Sequence, residues 1–405
     1  MRFAHLADVH IGAWRDPLMK NLSLEAFRRA ITVILEKKLD FVIIAGDLFN
    51  TAVPAIDHLQ ETVILLKKLK QAHIPVYVVP GSHDYSASGK TILDVLEETE
   101  LLKNVMKGEV IEGKLKLSFT EDPKTKAKLT GIGGRKGSLE QEEYDSLDIE
   151  PLEQALGPKI FLFHTTVEEL LPTEMKVIRG ISASEFPRGF DYYAGGHIHI
   201  VEAKDLAERK NVVYPGPIFP ANFSEAWSLG KGGFYIYEDG ELEYQPLNVK
   251  SVYRIEADAQ NKTPEEVYHE LDSAIKLKEF NNAIVLVKVH GELKSGKPSD
   301  IDFKSFVKSL YNKGAFFVMR STSKLTSKEF TEMIVHSGTA EELEAELIQK
   351  HAAKQDASRY SGDQKKEEKL IRELLRLLSD EQKDGEKKYE YEARMKKETD
   401  HLLSS

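Results

Sequence analysis

Phe41-Val-Ile-Ile-Ala-Gly-Asp-Leu-Phe-Asn50 is the most informative segment of this 405-residue chain. Its first half, Phe41 to Ala45, is a continuous apolar run with β-branched residues at its centre. Such a run is typical of a strand that is buried on both faces of a sheet. The run stops at Gly46 and Asp47, and a carboxylate at the carboxyl end of such a strand lies where open α/β sheets place their chemistry. Taken alone, Asp47 is better explained as the cap of a turn.

Four other segments also end an apolar run in Asp or His, and together they indicate one site. These residues are Asp8 and His10, then His83 and Asp84, then His164, and finally His197 and His199. A spacing of two places both members of a pair such as Asp8 and His10 on the same face of an extended segment. That pair alone could also belong to a surface turn. Because five separate segments show the same pattern, we reject the alternative that these are unrelated polar residues in surface loops.

Mixed sets of imidazole and carboxylate ligands suit borderline divalent cations. Two such ions ~3.5–4 Å apart need a bridging oxygen ligand, and an Asp serves well. A pair of ions stabilises the attacking and leaving oxygens when a phosphate ester is hydrolysed, and it produces hydroxide at neutral pH. The pattern therefore predicts a binuclear metal centre that hydrolyses phosphate esters.

The composition limits the classes of protein and site. The chain has no cysteine, which excludes disulfides and thiol chemistry and leaves nitrogen and oxygen ligands for any metal. The formal net charge is −10, so binding to nucleic acid would depend on local basic patches or on metal ions. The N-terminus lacks the apolar core of a signal peptide, and no run is long enough to cross a bilayer. We expect an intracellular protein of the cytoplasm or nucleoid, with no membrane contact.

Basic residues are densest, outside predicted helices, in one short part of the chain. The cluster consists of Lys124, Lys126, Lys128, Arg135 and Lys136. It is a candidate for contacts with nucleic-acid phosphates. A solvated hairpin explains it equally well.

The order of predicted elements divides the chain into four parts. Residues 1–250 form an α/β domain that carries all the Asp and His residues of the predicted site. Residues 251–325 follow a β-α-β-α-β order, which indicates a small second α/β domain. Residues 326–365 are a polar linker with a short helix, and residues 366–405 form a helical tail. One tail helix has a strong apolar face, which either folds back or, as we favour, is covered by another protein.

The motifs in the first domain resemble those of the calcineurin-like metallophosphoesterases. In order they are Asp8-x-His10, Gly46-Asp47, Gly81-Ser-His-Asp84, His164 and Gly196-His-x-His199. Within that superfamily the chain resembles the SbcD type, also called meiotic recombination eleven, which is the nuclease subunit of a double-strand-break repair complex. The resemblance implies a metallophosphoesterase β-sandwich flanked by helices, with a small α/β domain that caps DNA and a helical C-terminal tail.

The resemblance also implies two Mn²⁺ ions per chain and a role for each residue of the site. The first ion would be held by Asp8, His10, Asp47 and His199, and the second by Asp47, His164 and His197. His83 would stabilise or protonate the scissile phosphate, and Asp84 would orient His83.

Two residues depart from the family pattern. Ser82 replaces an Asn whose amide oxygen normally ligates the second metal, and its hydroxyl is too short to reach without a water or a shifted backbone. We therefore expect weaker occupancy of the second metal site than of the first. Asn50 stands where some relatives place a His that assists exonuclease action. The prediction of exonuclease activity is therefore less well supported than the prediction of the metal centre.

By the same resemblance the protein would be an Mn²⁺-dependent DNA nuclease, with exonuclease and single-strand endonuclease action on DNA ends. The tail would dock on the coiled coil of an ABC-type ATPase, and helices near residues 59–69 and 92–102 would form a homodimer interface. Their apolar stripes also fit an ordinary core. Two alternatives remain: a small-substrate metallophosphoesterase, and a DNA-end-binding scaffold with hydrolysis weakened by Ser82.

Overall fold

The computed structural model describes residues 1–85, 90–175, 178–328, 364–380 and 388–404. Residues 1–327 form one compact unit, and residues 328–405 form another. Within the described ranges, we find no helix that combines the length and the apolar character needed to cross a membrane.

The first of two large sheets is built around the apolar segment at 41–45. Its strands are β1 (Arg2–Leu6), β2 (Phe41–Ala45), β3 (Val76–Val79), β4 (Lys103–Asn104), β13 (Gly233–Glu238) and β14 (Glu241–Pro246). They lie in the order β14-β13-β1-β2-β3-β4. Strands β1 to β4 are parallel, and the hairpin of β13 and β14 joins β1 in antiparallel fashion. The carboxyl ends of β1, β2 and β3 therefore meet at one edge of the sheet.

The second large sheet is also mainly parallel. Its strands are β7 (Thr120–Glu121), β8 (Lys128–Ile132), β9 (Lys159–His164), β10 (Tyr192–Gly196), β11 (Val201–Leu206) and β12 (Arg209–Pro215), in the order β11-β12-β10-β9-β8-β7. A separate hairpin consists of β5 (Gly108–Ile111) and β6 (Lys114–Leu117). The sequence favours antiparallel pairing throughout 109–133, but β8 pairs with β9 in parallel. Its alternating pattern does not reveal this long-range partner.

The two sheets pack face to face through an aromatic core. Phe3, Phe41 and Tyr237 stack in a row on the first sheet, and Tyr192 of the second sheet meets Phe3 edge-on with ring centroids 5.0 Å apart. Side chains alternate between the two faces of each strand, so every second residue points into the space between the sheets. Phe3, Phe41 and Tyr237 are neighbours on adjacent strands and therefore point to the same face. These residues create the sandwich that places the carboxyl ends of both parallel sets together.

Helices cover the outer faces of the sandwich. They are α1 (Leu22–Lys37), α2 (Ile56–Gln71), α3 (Ile92–Glu98), α4 (Gln141–Asp145), α5 (Glu150–Gln154) and α6 (Phe223–Leu229). The apolar stripe of α2 predicts a helix from Ile56 to Gln71, and these bounds are confirmed. The sequence also predicts a helix over residues 90–102, but α3 is shorter, because Glu100 adopts a left-handed backbone with φ of 55° and β4 follows. The predicted α/β sandwich flanked by helices is confirmed.

A third sheet forms the second α/β element of the same compact unit. It contains the parallel strands β15 (Val252–Asp258), β16 (Ile284–Leu293) and β17 (Phe317–Ser327), with helices α7 (Pro264–Ile275) and α8 (Phe303–Asn312). One face packs on the two helices, whereas Ile284 and Leu286 on the other face join the core that covers the first sheet. The predicted β-α-β-α-β order is observed, and we call residues 251–327 the second domain.

The C-terminal unit contains two described helices, α9 (Gln364–Leu378) and α10 (Lys388–Ser404). The ion pair between Arg394 and Asp380 measures 2.6 Å and links α10 to the end of α9. The predicted short helix in the linker lies outside the described residues. The predicted boundaries at 250, 325 and 365 stay predictions.

Candidate metal centre

The residues predicted from the five strand ends come together at the carboxyl end of the sandwich. Asp8 and His10 follow β1, Asp47 follows β2, and His164 is the last residue of β9. Gly46 allows the close approach, since a Cβ at its position would lie 2.0 Å from the His164 ring. We call this end of the sandwich the carboxyl end, and the opposite end the amino end.

The backbone turns sharply at these positions. Asp8, His10, Asp47, His197 and His199 all have positive φ, between 45° and 108°. Each such non-glycine residue costs about 1–3 kcal/mol, and such conformations persist only where the surrounding structure enforces them. These unfavourable backbone conformations lower the stability of the fold at this end, and they direct the side chains into one small volume.

The first group of candidate ligands consists of Asp8, His10 and His199, whose ligand atoms lie within 4.8 Å of one another. His10 Nε2 lies 3.0 Å from His199 Nε2, and His199 Nε2 lies 3.6 Å from Asp8 Oδ1. Asp47 Oδ2 lies 3.6 Å from His10 Nε2. The four residues that the resemblance assigns to the first ion are therefore brought together.

A second group consists of Asp8, Asp47 and His164. His164 Nε2 lies 3.3 Å from Asp47 Oδ2, and His164 Nδ1 donates to the carbonyl of Ala45 at 2.9 Å. Because a carbonyl only accepts, the proton belongs on Nδ1 and Nε2 faces the carboxylates. A third group contains His10, Asp47 and His83, so Asp8, His10 and Asp47 each belong to two groups. Asp47 Oδ2 lies 3.6 Å from His10 Nε2 and 3.3 Å from His164 Nε2, which is the position that a bridging carboxylate requires.

His197 and Ser82, the other two predicted ligands, lie beside these groups. The His197 ring is 5.1 Å from the His164 ring, and the His197 backbone N–H donates to both oxygens of Asp8. His197 is not a member of the three groups found among the described residues. Ser82 is half-buried and lines a cavity with His83 and His197.

His83 and Asp84 are placed differently from the expectation that one orients the other. The Asp84 carboxylate is fully buried and accepts backbone N–H groups of Asp47, Phe49 and Gly81. The exposed His83 ring instead donates from Nδ1 to the carbonyl of Asn50 at 2.8 Å. Asp84 therefore holds the loops together.

Burial and charge set the protonation of the metal-free site. Burial lowers the pKa of His10 to about 3 and that of His197 to about 4. Burial has the same effect on His164 and His199, but carboxylates outweigh it and raise their pKa values to about 10 and about 9. Asp47 is held well below its usual pKa by His164 and His10, against the effect of burial. Burial raises the pKa of Asp8, although His199 and His164 oppose the rise. The clearest charge balance in the metal-free site is therefore between cationic His164 and the Asp47 carboxylate.

The donor set fits a divalent cation. Within 4.0 Å of the Asp8 and Asp47 carboxylates, the described residues offer only histidines as basic partners. His10 Nδ1 and His164 Nε2 are buried and, among the described residues, have no hydrogen-bond partner. Imidazole and carboxylate together suit borderline metals. Binding there releases protons, because a metal ligand must be deprotonated.

One residue of the site was missed by the sequence analysis. Glu225, in the first turn of α6, accepts a hydrogen bond from His199 Nδ1 at 3.0 Å. Burial opposes its ionisation, but His199 lowers the pKa of Glu225 below the usual value. The pattern Asn222-x-x-Glu225 is a helix-start signal that predicts α6. Nothing in that signal indicates that the Glu side chain reaches a ligand.

The predicted basic cluster is divided between the two ends of the sandwich. Lys124 and Lys126 lie at the amino end, where they pair with Asp40 at 2.6 Å and Glu121 at 3.2 Å. Strand β8 then crosses the sandwich, and Lys136 reaches a cavity of about 410 Å³ beside His83. Only the part of the cluster after β8 lies near the candidate metal centre.

Comparison with known proteins agrees with this geometry. The family model of the calcineurin-like phosphoesterases matches residues 1–201. The match covers just under half of the chain, and it includes the Asp and His residues of the candidate metal centre. The predicted resemblance is confirmed, and so are a metal-dependent phosphoesterase activity and a divalent metal cofactor.

Curated relatives match beyond the phosphoesterase domain. One is the "DNA double-strand break repair protein Mre11" of Methanococcus maripaludis, 27% identical over 370 residues, which cover 86% of this chain and 90% of the relative. The protein of the same name from Methanocaldococcus jannaschii is 25% identical, covering 86% of this chain and 93% of its own. That from Archaeoglobus fulgidus is 26% identical over 64% of this chain and 62% of its own. The similarity to the first two therefore includes the second domain.

Proposed function

We propose that this protein is a two-metal, Mn²⁺-dependent nuclease that processes DNA ends in double-strand-break repair. One observation carries the proposal: Asp47 Oδ2 lies 3.6 Å from His10 Nε2, a proposed ligand of the first ion, and 3.3 Å from His164 Nε2, a proposed ligand of the second, as a bridging carboxylate would. The names of its relatives support DNA as the substrate. Exonuclease and single-strand endonuclease action, and a place in the cytoplasm or nucleoid, belong to the same proposal.

Two bound divalent ions would stabilise the attacking and leaving oxygens and lower the pKa of water. The first would be held by Asp8, His10, Asp47 and His199, and the second by Asp47, His164 and His197, with Ser82 a weak contributor. His83 acts on the scissile phosphate. Its Nδ1 proton is committed to Asn50, so Nε2 is the atom that donates to or accepts from the phosphate oxygens.

The cavity beside His83 supplies the phosphate contact that an acidic protein needs. Its lining includes Arg135 and Lys136. Buried Glu140 fixes this loop, because it accepts the N–H of Arg135 and the hydroxyl of Thr165, which follows His164. A Cβ at Gly134 would lie 2.4 Å from the His164 ring, so the loop rests directly on the metal centre. We propose that the Lys136 side chain binds the DNA phosphate next to the scissile one.

The central experiment incubates labelled duplex and single-stranded DNA with Mn²⁺ and compares the unaltered chain with His83→Ala. We expect the unaltered chain to degrade both, and the variant to bind Mn²⁺ yet cleave at least about a hundredfold more slowly. Hydrolysis of a small chromogenic phosphodiester without DNA cleavage would contradict the proposal. DNA binding without Mn²⁺-dependent cleavage would contradict it as well.

Lys136→Gln and Lys124→Gln form a matched pair that tests the DNA contact. Loss of one phosphate contact lowers the slope of log affinity against log salt by about 1. We expect that change for Lys136→Gln only, because Lys124 lies at the amino end and pairs with Asp40. Equal slopes for both variants would remove Lys136 from the binding surface.

A homodimer is part of the proposal. The apolar stripes near residues 59–69 and 92–102 lie largely in the core, where Leu66 and Leu69 are fully buried, so the proposed dimer surface is the exposed apolar residues around the start of α2. Ile56 at the start of α2 and Val53 just before it are 84% and 81% exposed, and Val95 of α3 is 55% exposed. Apolar side chains this exposed mark an interaction surface when they are contiguous. Analytical sedimentation of the unaltered chain and of Ile56→Lys tests the dimer. We expect the variant to dimerise more weakly than the unaltered chain.

The C-terminal helices are proposed to bind a coiled-coil ABC-type ATPase subunit. Leu375 and Leu378 of α9 are 42% and 63% exposed within the C-terminal unit. An amphipathic helix that lays its apolar face in a partner groove is a common mode of recognition. Leu375→Glu should abolish co-purification with the ATPase and leave cleavage of small phosphodiesters unchanged.

A further inference from the structure

Helix α6 touches both the candidate metal centre and the second domain. Glu225, in its first turn, contacts His199, whereas Trp227 and Ser228, in its last turn, contact β16 and β15. The helix has only seven residues, so the two sets of contacts lie within about two turns of each other. A shift at one end therefore moves the other.

The contact of Glu225 with His199 is nearly shielded from solvent. The exposed fractions of the two side chains are 15% and 20%, and His199 Nδ1 lies 3.0 Å from Glu225 Oε1. An ionised carboxylate only accepts, so Nδ1 carries the proton. The ring then presents Nε2, the nitrogen nearest Asp8 and His10. Glu225 thus fixes both the tautomer and the direction of this ligand.

The carboxylate of Glu225 is itself held in place. Its second oxygen accepts the backbone N–H of Ala221 at 2.8 Å, and the side-chain amide of Asn222 donates to the first. Asn222 also caps the helix, since its side-chain oxygen accepts the N–H of Glu225. The Glu225 carboxylate is therefore preorganised, and its direction depends on where α6 lies.

The second domain holds the other end of α6. Lys288 Nζ of β16 lies 5.1 Å from the ring of Trp227, within the range of a cation–π contact. Arg254 of β15 donates to the carbonyl of Ser228 at 3.3 Å. A side chain at Gly230, directly after the helix, would collide with Arg254, since a Cβ there would lie 2.8 Å from its guanidinium. The last turn of the helix is thus held by contacts from the second domain.

We propose that Glu225 is a positioning residue for the metal ligand His199, and that α6 links the affinity of this metal to the second domain. The inference rests on the metal centre proposed above but not on DNA as the substrate. By reciprocity, whatever binds the second domain and shifts α6 changes metal affinity, and metal binding changes the affinity for that ligand equally.

The test titrates Mn²⁺ into the metal-free full chain by calorimetry and compares Glu225→Ala with Glu225→Gln. Loss of a hydrogen-bond partner behind a ligating His lowers metal affinity about 10- to 100-fold. We expect that loss at the tighter site for Glu225→Ala, and a partial rescue by Gln, whose carbonyl oxygen still accepts the Nδ1 proton. The weaker site should be unchanged.

Asn222→Ala is the structural control. It removes the helix cap, which costs about 1 kcal/mol of stability, and the amide donor to Glu225, but it keeps the carboxylate and its bond from the backbone N–H of Ala221. We expect a lower melting temperature with metal affinity changed less than about threefold. Unchanged Mn²⁺ affinity in Glu225→Ala, or an equal loss in Asn222→Ala, would overturn the positioning role. Absence of Mn²⁺ binding by the unaltered chain would instead overturn the metal centre.

Arg254→Gln tests the link to the second domain. As a single variant, Arg254→Gln should lower the Mn²⁺ affinity of the tighter site about two- to fivefold. When Glu225→Ala is already present, adding Arg254→Gln should not lower that affinity further. Equal effects of Arg254→Gln in both backgrounds would show that α6 does not carry the link.

Discussion

The amino and carboxyl ends of the sandwich both hold buried acidic groups, but they neutralise them differently. At the amino end, Asp122 accepts hydrogen bonds from the Tyr77 hydroxyl at 2.8 Å and from Thr125. At the carboxyl end, Asp8 and Asp47 face histidines across a shared space. The donors to Asp122 are fixed, so this acid is structural, whereas Asp8 and Asp47 face imidazoles that can release their protons when a divalent cation binds.

The largest expected effect comes from Asp47→Asn. The variant loses the shared carboxylate, so cleavage should fall at least about a thousandfold, or about 4 kcal/mol of transition-state stabilisation. Mn²⁺ titration should show the loss of at least one site.

Asp122→Asn is its counterpart at the amino end. An amide oxygen still accepts one of the bonds from Tyr77 and Thr125, so we expect about 1–3 kcal/mol lower stability in urea unfolding. Cleavage rate and Mn²⁺ affinity should not change. Loss of metal binding in Asp122→Asn would erase the difference between the two ends.

The second prediction concerns His5, which lies between the sheets away from both ends. Burial lowers its pKa to about 3, and the Tyr192 hydroxyl lies 2.9 Å from His5 Nδ1. The unfolded chain binds a proton here below about pH 6.5 and the folded chain does not. Stability from this group is therefore complete above pH 6.5 and is lost toward pH 3, by up to about 1.4 kcal/mol per pH unit.

Urea unfolding of the metal-free chain at pH 7, 6 and 5 measures this effect. The stability of His5→Gln should decline less steeply with falling pH than that of the unaltered chain. Parallel declines would show that another group causes the acid sensitivity.

The sequence predicts the buried parallel strands well, because their signal is local. The apolar runs at residues 41–45 and 76–79 and the apolar stripe at 56–71 predict the observed bounds of β2, β3 and α2, since each ends at Gly, Pro or a polar turn. The Asp and His residues after these strands were found for the same reason. Parallel strands with adjacent carboxyl ends bring such residues together wherever the sheets pack face to face.

The parts that were not predicted depend on distant contacts. The sequence does not say that β8 pairs with β9, and so it did not separate Lys124 from Lys136, although a strand rises about 3.3 Å per residue. Glu225 was missed because its partner is 26 positions earlier in the chain. Left-handed backbone at Asp8 and Asp47 is likewise imposed by the site and not by the local sequence.

The third prediction concerns the weaker metal site at the carboxyl end. Ser82→Asn restores an amide oxygen that reaches farther than the Ser hydroxyl. We expect the affinity of the weaker Mn²⁺ site to rise about tenfold, equivalent to about 1.4 kcal/mol, with the tighter site unchanged. Ser82→Ala is the control and should change neither site by much. An unaltered chain with two equally tight sites would contradict the weak contribution of Ser82.

The smallest effect is expected at the amino end, for Asp40→Asn. Burial opposes ionisation of Asp40, but Lys124 and the backbone N–H of Arg2 lower its pKa, so this carboxyl group is ionised at pH 7. Lys124 is 65% exposed, and solvent screens a pair of this kind, so its loss should cost less than about 1 kcal/mol in urea unfolding. Mn²⁺ affinity should stay the same, because the carboxyl end lies at the opposite edge of both sheets. A larger loss, or any change in metal binding, would mean that the two ends are coupled through the strands, and the amino end would then help to aim the ligands of the metal centre.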